Sequence, residues 1–113
     1  MQADQNGFLM VNFNHYDFIP LSYTEVSPDP AQVLYVGANV SGSADLTVPS
    51  DAKKVQIQAI DADLRLCLDP GATASSSFGQ LYPKATLPLT LLLNSELYIT
   101  AFSTGTVGVY WGK

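Results

Sequence analysis

Charge is what this chain has least of. Asp, Glu, Lys and Arg together make up 13% of its 113 residues, about half of the ~25% usual for a soluble domain. A small domain has much surface to wet, so Ser, Thr, Asn, Gln and apolar side chains must cover it here. Interface centres are depleted in Lys, Glu and Asp, so the shortage fits a chain that docks on other proteins. It equally fits a β domain that carries Thr and Ser on its outer faces.

Basic charge is the scarcer kind. Five Lys and Arg stand against ten Asp and Glu, for a net charge of −5, and Lys53–Lys54 is the one adjacent basic pair. No basic stripe exists to neutralise phosphates, which argues against nucleic-acid binding. Long apolar runs are missing too. The longest, "LPLTLLL" (87–93), falls well short of the roughly 18 residues of a membrane span, so no membrane partner is expected. The opening "MQADQNGF" lacks the basic and apolar regions of a signal peptide. Cys67 is the single cysteine, which excludes an intrachain disulfide and fits synthesis in a reducing cytoplasm.

Helical sequence is the next absence. Seven prolines and eight glycines cut the chain into short pieces, and between them lie the β-branched and aromatic runs of strands. "KKVQIQAID" (53–61) sets Val55, Ile57 and Ala59 against Gln56 and Gln58. "DLRLCLD" (63–69) sets Leu64, Leu66 and Leu68 against Arg65 and Cys67. "ELYITAF" (96–102) alternates Leu97, Ile99 and Ala101 with Tyr98, Thr100 and Phe102, and "TVGVYWG" (106–112) opposes Val107, Val109 and Trp111 to Gly108 and Tyr110. A period of two recurring at short intervals specifies antiparallel strands with one face on a core.

The fold class that follows is all-β: an antiparallel β-sandwich, jelly-roll-like, as a single domain with an irregular N-terminal segment. A chain of this length buries roughly two thirds of its unfolded surface and needs neither metal nor disulfide. Asp61-Ala62 reads as a tight junction, Asn94-Ser95 as another, and Ser103-Thr104-Gly105 as a short hairpin loop with a glycine free to take positive φ. Residues 1–40 read differently from 41–113, the sandwich core. They carry Phe8, Phe13, His15, Tyr16, Phe18 and Tyr23 without a clean period before "SPDPAQ" breaks the chain. Two readings remain open for them: ordinary strands, "FLMVNF" and "QVLYVGANV", with an irregular link, or an arm laid over a neighbouring subunit. On the second reading those six rings are the candidate partner contacts.

Chemistry is sparse. "DPGATASSS" (69–77) has no Lys between Gly71 and Gly79 and no following helix pattern, so it is no phosphate loop; Asp69-Pro70-Gly71 is turn vocabulary. Nucleophilic catalysis needs a base beside the nucleophile, and the sole histidine, His15, lies among aromatics. Asp61, Asp63 and Asp69 are the one carboxylate cluster, and the calcium-loop pattern stops after two ligands because "LRLCL" follows,. No enzyme activity, metal or cofactor is expected. Carbohydrate binding through exposed rings stays open as an alternative, since the chain has one Trp, six Tyr and five Phe.

The stretch from Val55 to Gly112 carries "VQIQAIDADLRL", the acidic turn "DPG", the small-residue loop "ATASSSFGQLY", the apolar "LPLTLLL" and the closing "LYITAFSTGTVGVYWG". In this succession it resembles small all-β structural proteins of tailed bacteriophages. Arg65 is the one arginine in the strand before the acidic turn, where the family pattern favours several. The resemblance implies a non-enzymatic virion protein made in the bacterial cytoplasm, a capsid decoration or cement protein that stabilises the head. A tail or fibre accessory, or a carbohydrate-binding module for host recognition, is the alternative. Its implied partners are the major capsid protein or another virion protein, together with copies of itself, a trimer being favoured.

Overall fold

The computed structural model describes residues 18–37 and 46–113. They hold eight strands and no helix: β1 (Pro20–Val26), β2 (Gln32–Val36), β3 (Lys54–Ala59), β4 (Leu64–Cys67), β5 (Gln80–Tyr82), β6 (Leu89–Leu92), β7 (Tyr98–Phe102) and β8 (Val107–Gly112). The strands form two antiparallel four-stranded sheets, ordered β1-β8-β3-β6 and β2-β7-β4-β5. This interleaving makes the all-β sandwich an eight-stranded jelly roll.

The period of two supplies the core. Val55, Ile57 and Ala59 of β3 and Val107, Val109 and Trp111 of β8 point inward from the first sheet. Leu64, Leu66, Ile99 and Ala101 meet them from the second. Each large side chain so buried contributes roughly 1.5–3 kcal/mol relative to exposure. In β2 the register against β7 slips between Val33 and Tyr35. The extra residue turns two consecutive side chains inward, so Leu34 and Tyr35 both join the core, and the Tyr35 ring lies 6.2 Å from that of Trp111,.

Two expectations need correction. Ser103-Thr104-Gly105 is not a hairpin loop, because β7 and β8 belong to different sheets. Gly105 is not among the residues with positive φ either. Every step along the chain crosses from one sheet to the other, save β4 to β5, which pair directly. Alternation tells which side chains face the core, and it looks the same whether the next strand lies beside its predecessor or opposite it. The second correction is β1. "PLSYTEV" read as an irregular link, yet it is an edge strand paired with β8 along its length. Its outward positions are Tyr23 and Glu25, and of its seven residues only Val26 is fully buried, so no apolar alternation marked it. β1 and β2 both come from the segment before residue 40, so the sandwich includes residues from Pro20 onward and is not confined to 41–113. The "FLMVNF" stretch lies outside the described residues.

Candidate functional site

The carboxylates come first, because a cluster of them is the usual start of a site. The registers Val26↔Val107, Ala59↔Val107 and Ile57↔Leu89 bring four connections to one end of the sandwich: 27–31, 60–63, 83–88 and 103–106. Asp61 and Asp63 tie them together. Asp61 Oδ1 accepts the Thr106 N–H at 2.6 Å, and Asp63 Oδ1 accepts the Lys84 N–H at 3.0 Å. The Ser103 N–H donates to the Pro28 carbonyl at 3.2 Å. Asp69 sits past the other end of β4 and caps its own turn, accepting the Gly71 N–H at 2.8 Å. β4 thus separates Asp69 from Asp61 and Asp63, and each of the three holds a backbone amide. Among the described residues no group of three or more His, Cys, Asp or Glu is placed to bind a metal ion.

The small-residue loop folds as a turn as well. Ser75 and Phe78 exchange backbone hydrogen bonds, the shorter from the Ser75 N–H at 2.9 Å, and Arg65 Nη1 donates to the Gly79 carbonyl at 2.9 Å. Beside it lies an open hollow of about 680 Å³ lined by Leu66, Cys67, Leu68 and Phe78, with Arg65 and Asp69 at its margin. Cys67 is buried on the outer side of its sheet, opposite Thr100. The Thr100 hydroxyl is buried without a hydrogen-bond partner. Among the described residues lining the hollow, the one cation is Arg65 and the one carboxylate, Asp69, is engaged by the Gly71 N–H.

The outer face of the β1-β8-β3-β6 sheet is organised differently. Its central row runs Tyr23, Tyr110, Gln56, Thr90 in register across all four strands. The next row sets Glu25, Gly108 and Gln58 side by side, and the row on the other side sets Gly112 beside Lys54 and Leu92. Along β8 the outward positions therefore read Gly108, Tyr110, Gly112. The two glycines leave room for rings from elsewhere. A Cβ at Gly108 would lie 2.5 Å from the Tyr23 hydroxyl oxygen, and one at Gly112 would lie 2.5 Å from Phe18 Cε1. Tyr23 and Tyr110 meet at 4.8 Å between ring centres, and Phe18 meets Tyr110 edge-on at 6.2 Å, both within the favourable range for aromatic pairs. Phe18, Tyr110 and Tyr23 form one aromatic strip along β8.

Polar groups along the strip are held in place. The Tyr23 hydroxyl donates to Glu25 Oε2 at 2.8 Å. Loss of water around the phenol, and then that hydrogen bond and the nearby carboxylate charge, raise the Tyr23 pKa above its ordinary 10.0. Gln56 Nε2 donates to Thr90 Oγ1 at 3.2 Å, and Gln58 Nε2 donates to the Thr86 carbonyl at 3.2 Å. A row of oriented amides thus runs beside the row of rings.

Of the six candidate partner-contact residues, the structure brings Phe18 and Tyr23 together on this strip; Phe8, Phe13, His15 and Tyr16 lie outside the described residues. Tyr110, Gln56, Gln58, Thr90 and Glu25 were missed. The signal for them was present in G-V-Y-W-G, where glycine at both outward positions beside a tyrosine marks places for rings from other strands. Trp111, one residue on, is buried in the core.

A second exposed surface lies on the opposite flank, where β5 and β6 are the edge strands of their sheets. Leu87 is 90% exposed and Leu92 67%, and Phe78 and Leu81 are also exposed. No charged residue occurs from Ala85 to Ser95. Inside the described strands as a whole, Glu25, Lys54 and Arg65 are the only charged side chains. The chain matches no protein-family model, no curated protein and no solved structure with which it was compared.

Proposed function

We propose that the chain is a non-enzymatic virion structural protein, a decoration or cement subunit of a tailed-phage head that works by burying weakly charged sheet surface against other proteins. The observation that carries this reading is the β5–β6 flank. Leu87 and Leu92 stand exposed around an edge strand that, among the described residues, has a partner strand on one side only. Soluble monomers normally guard such an edge with charge or a covering loop. Burying it against an identical copy removes both liabilities, and closed rings, a trimer foremost, satisfy it in every subunit. The phage-like succession from Val55 to Gly112 supports the same reading. The jelly roll is shared by viral capsid and lectin domains, so it favours assembly or binding over catalysis without choosing between the first two. The protein acts in the virion, on the major capsid protein or another shell component, after synthesis in the bacterial cytoplasm.

Light scattering on the purified chain, followed by co-sedimentation with heads of the phage that encodes it, tests the reading. A closed oligomer that sediments with heads is expected. Leu87→Asp combined with Leu92→Asp should give a monomer with unchanged β-sheet circular dichroism. A wild-type monomer at every concentration that leaves heads in the pellet without it would end the proposal.

A further inference from the structure

We propose that the aromatic strip of Phe18, Tyr110 and Tyr23, with Gln56, Gln58 and Glu25 beside it, is a binding site for a neutral glycan chain. This goes beyond the assembly reading, which rests on the opposite flank of the sandwich.

Three features of the surface point to that occupant. The rings are braced before any ligand arrives, since Gly108 and Gly112 seat the rings of Tyr23 and Phe18 and Tyr110 packs against both. Preorganised rings lose little freedom on binding. From Gly108 to Gly112 the strip extends along β8 for about 13 Å at the usual strand rise, long enough for a chain of sugar units rather than one. Beside it the amides of Gln56 and Gln58 are fixed through one N–H each, to Thr90 and Thr86. An amide has a second N–H and a carbonyl oxygen, so among the described residues each glutamine keeps both a donor and an acceptor for a ligand. Pyranose units match this division. Their C–H faces lie on rings, and their hydroxyls both donate and accept.

Other occupants fit less well. A protein surface covering the strip would bury the Glu25 carboxylate and two half-satisfied amides, each of which costs free energy unless it is paired. A glycan rim supplies those partners. Charge then selects among glycans: Glu25 stands at one end of the strip and Lys54 beside Gly112 at the other, and the chain as a whole carries a net −5, so a neutral chain is favoured over sialylated and uronic acid chains.

The probe is an array of neutral oligosaccharides with their sialylated and uronic counterparts, with hits titrated by calorimetry. Binding to neutral chains and weak or no binding to acidic ones is expected. Tyr110→Ala should weaken the hit by about tenfold or more, and Gln56→Ala by less. Tyr23→Phe, which keeps the ring, should retain most of the binding. Gly108→Val pushes the Tyr23 ring off its seat and should weaken binding with sheet circular dichroism intact, which covers the case in which Tyr110→Ala folds poorly. No neutral hit, a preference for acidic chains, or full binding by both Tyr110→Ala and Gly108→Val would overturn the proposal. If Tyr110→Ala left glycan binding intact and abolished head binding instead, the strip would be a protein interface, which also overturns it. Leu87→Asp, in the 83–88 connection and outside the sheet face, should bind the glycan as well as wild type site for site, so failure of the assembly reading is distinguishable.

Discussion

The β1–β8 side and the β5–β6 side of the sandwich both expose apolar groups, and they do so in opposite ways. On the first, Phe18 and Tyr23 each pack on Tyr110 and sit in gaps left by Gly112 and Gly108, and the Tyr23 hydroxyl is bonded to Glu25. On the second, Leu87 and Leu92 stand without such bracing on an edge with open backbone positions. A braced ring surface with fixed amides offers defined contacts to a small polar ligand. A bare aliphatic edge gains most from being covered whole by another sheet or subunit. The difference teaches that exposure alone does not define a site; what restrains the exposed groups does.

The sharpest way to probe the ring side uses adjacent residues on opposite faces of β8. Trp111 is 1% exposed and Tyr110 37%. Trp111→Ala should cost about 3–5 kcal/mol and Tyr110→Ala less than about 1.5 kcal/mol, read from urea unfolding midpoints. Comparable losses would show that the strip is part of the folding core and not a surface held for binding.

The flank can be loosened without touching its leucines. Asp63 accepts the Lys84 N–H at the start of the 83–88 connection that presents Leu87. Asp63→Ala should cost about 1 kcal/mol and speed amide exchange at Lys84 and its neighbours, leaving the protection of β1 and β8 unchanged. Equal acceleration on both sides would mean that the two flanks open as one unit.

The smallest effect is one of pH. The Tyr23 pKa is raised in the fold, first by desolvation and then by Glu25, so the folded state favours the protonated phenol. Its contribution to stability is present below the unfolded pKa near 10 and is lost as pH rises through the higher folded value. Thermal midpoints should therefore fall a little more steeply at alkaline pH for wild type than for Tyr23→Phe. Identical slopes would indicate that the folded state does not raise the Tyr23 pKa, so that the phenol is neither desolvated nor bonded to Glu25 in solution.

How far these surfaces were legible in the sequence differs by residue. Val55, Ile57 and Ala59 announced the buried face of β3, and through them Gln56 and Gln58 were already assigned outward. Gly108 and Tyr110 were assigned outward in the same way. What could not be read was that Tyr23 lies across from Tyr110, because β1 and β8 are the first and last described strands and no local pattern links them. The carboxylates show the converse. Asp61, Asp63 and Asp69 look like a cluster along the chain, and the four residues of β4 carry Asp69 to the far end.

By itself, then, the sequence determined the strand vocabulary, the inward and outward residue of most strands and the shortage of charge. Those are local properties, set by a two-residue period and by composition. The pairing of strands, the crossing of nearly every connection between sheets, and the seating of two rings on glycines either side of Tyr110 were decided by the tertiary structure. A side chain's alternation fixes which face it belongs to. Which distant strand shares that face depends on how the whole core closes.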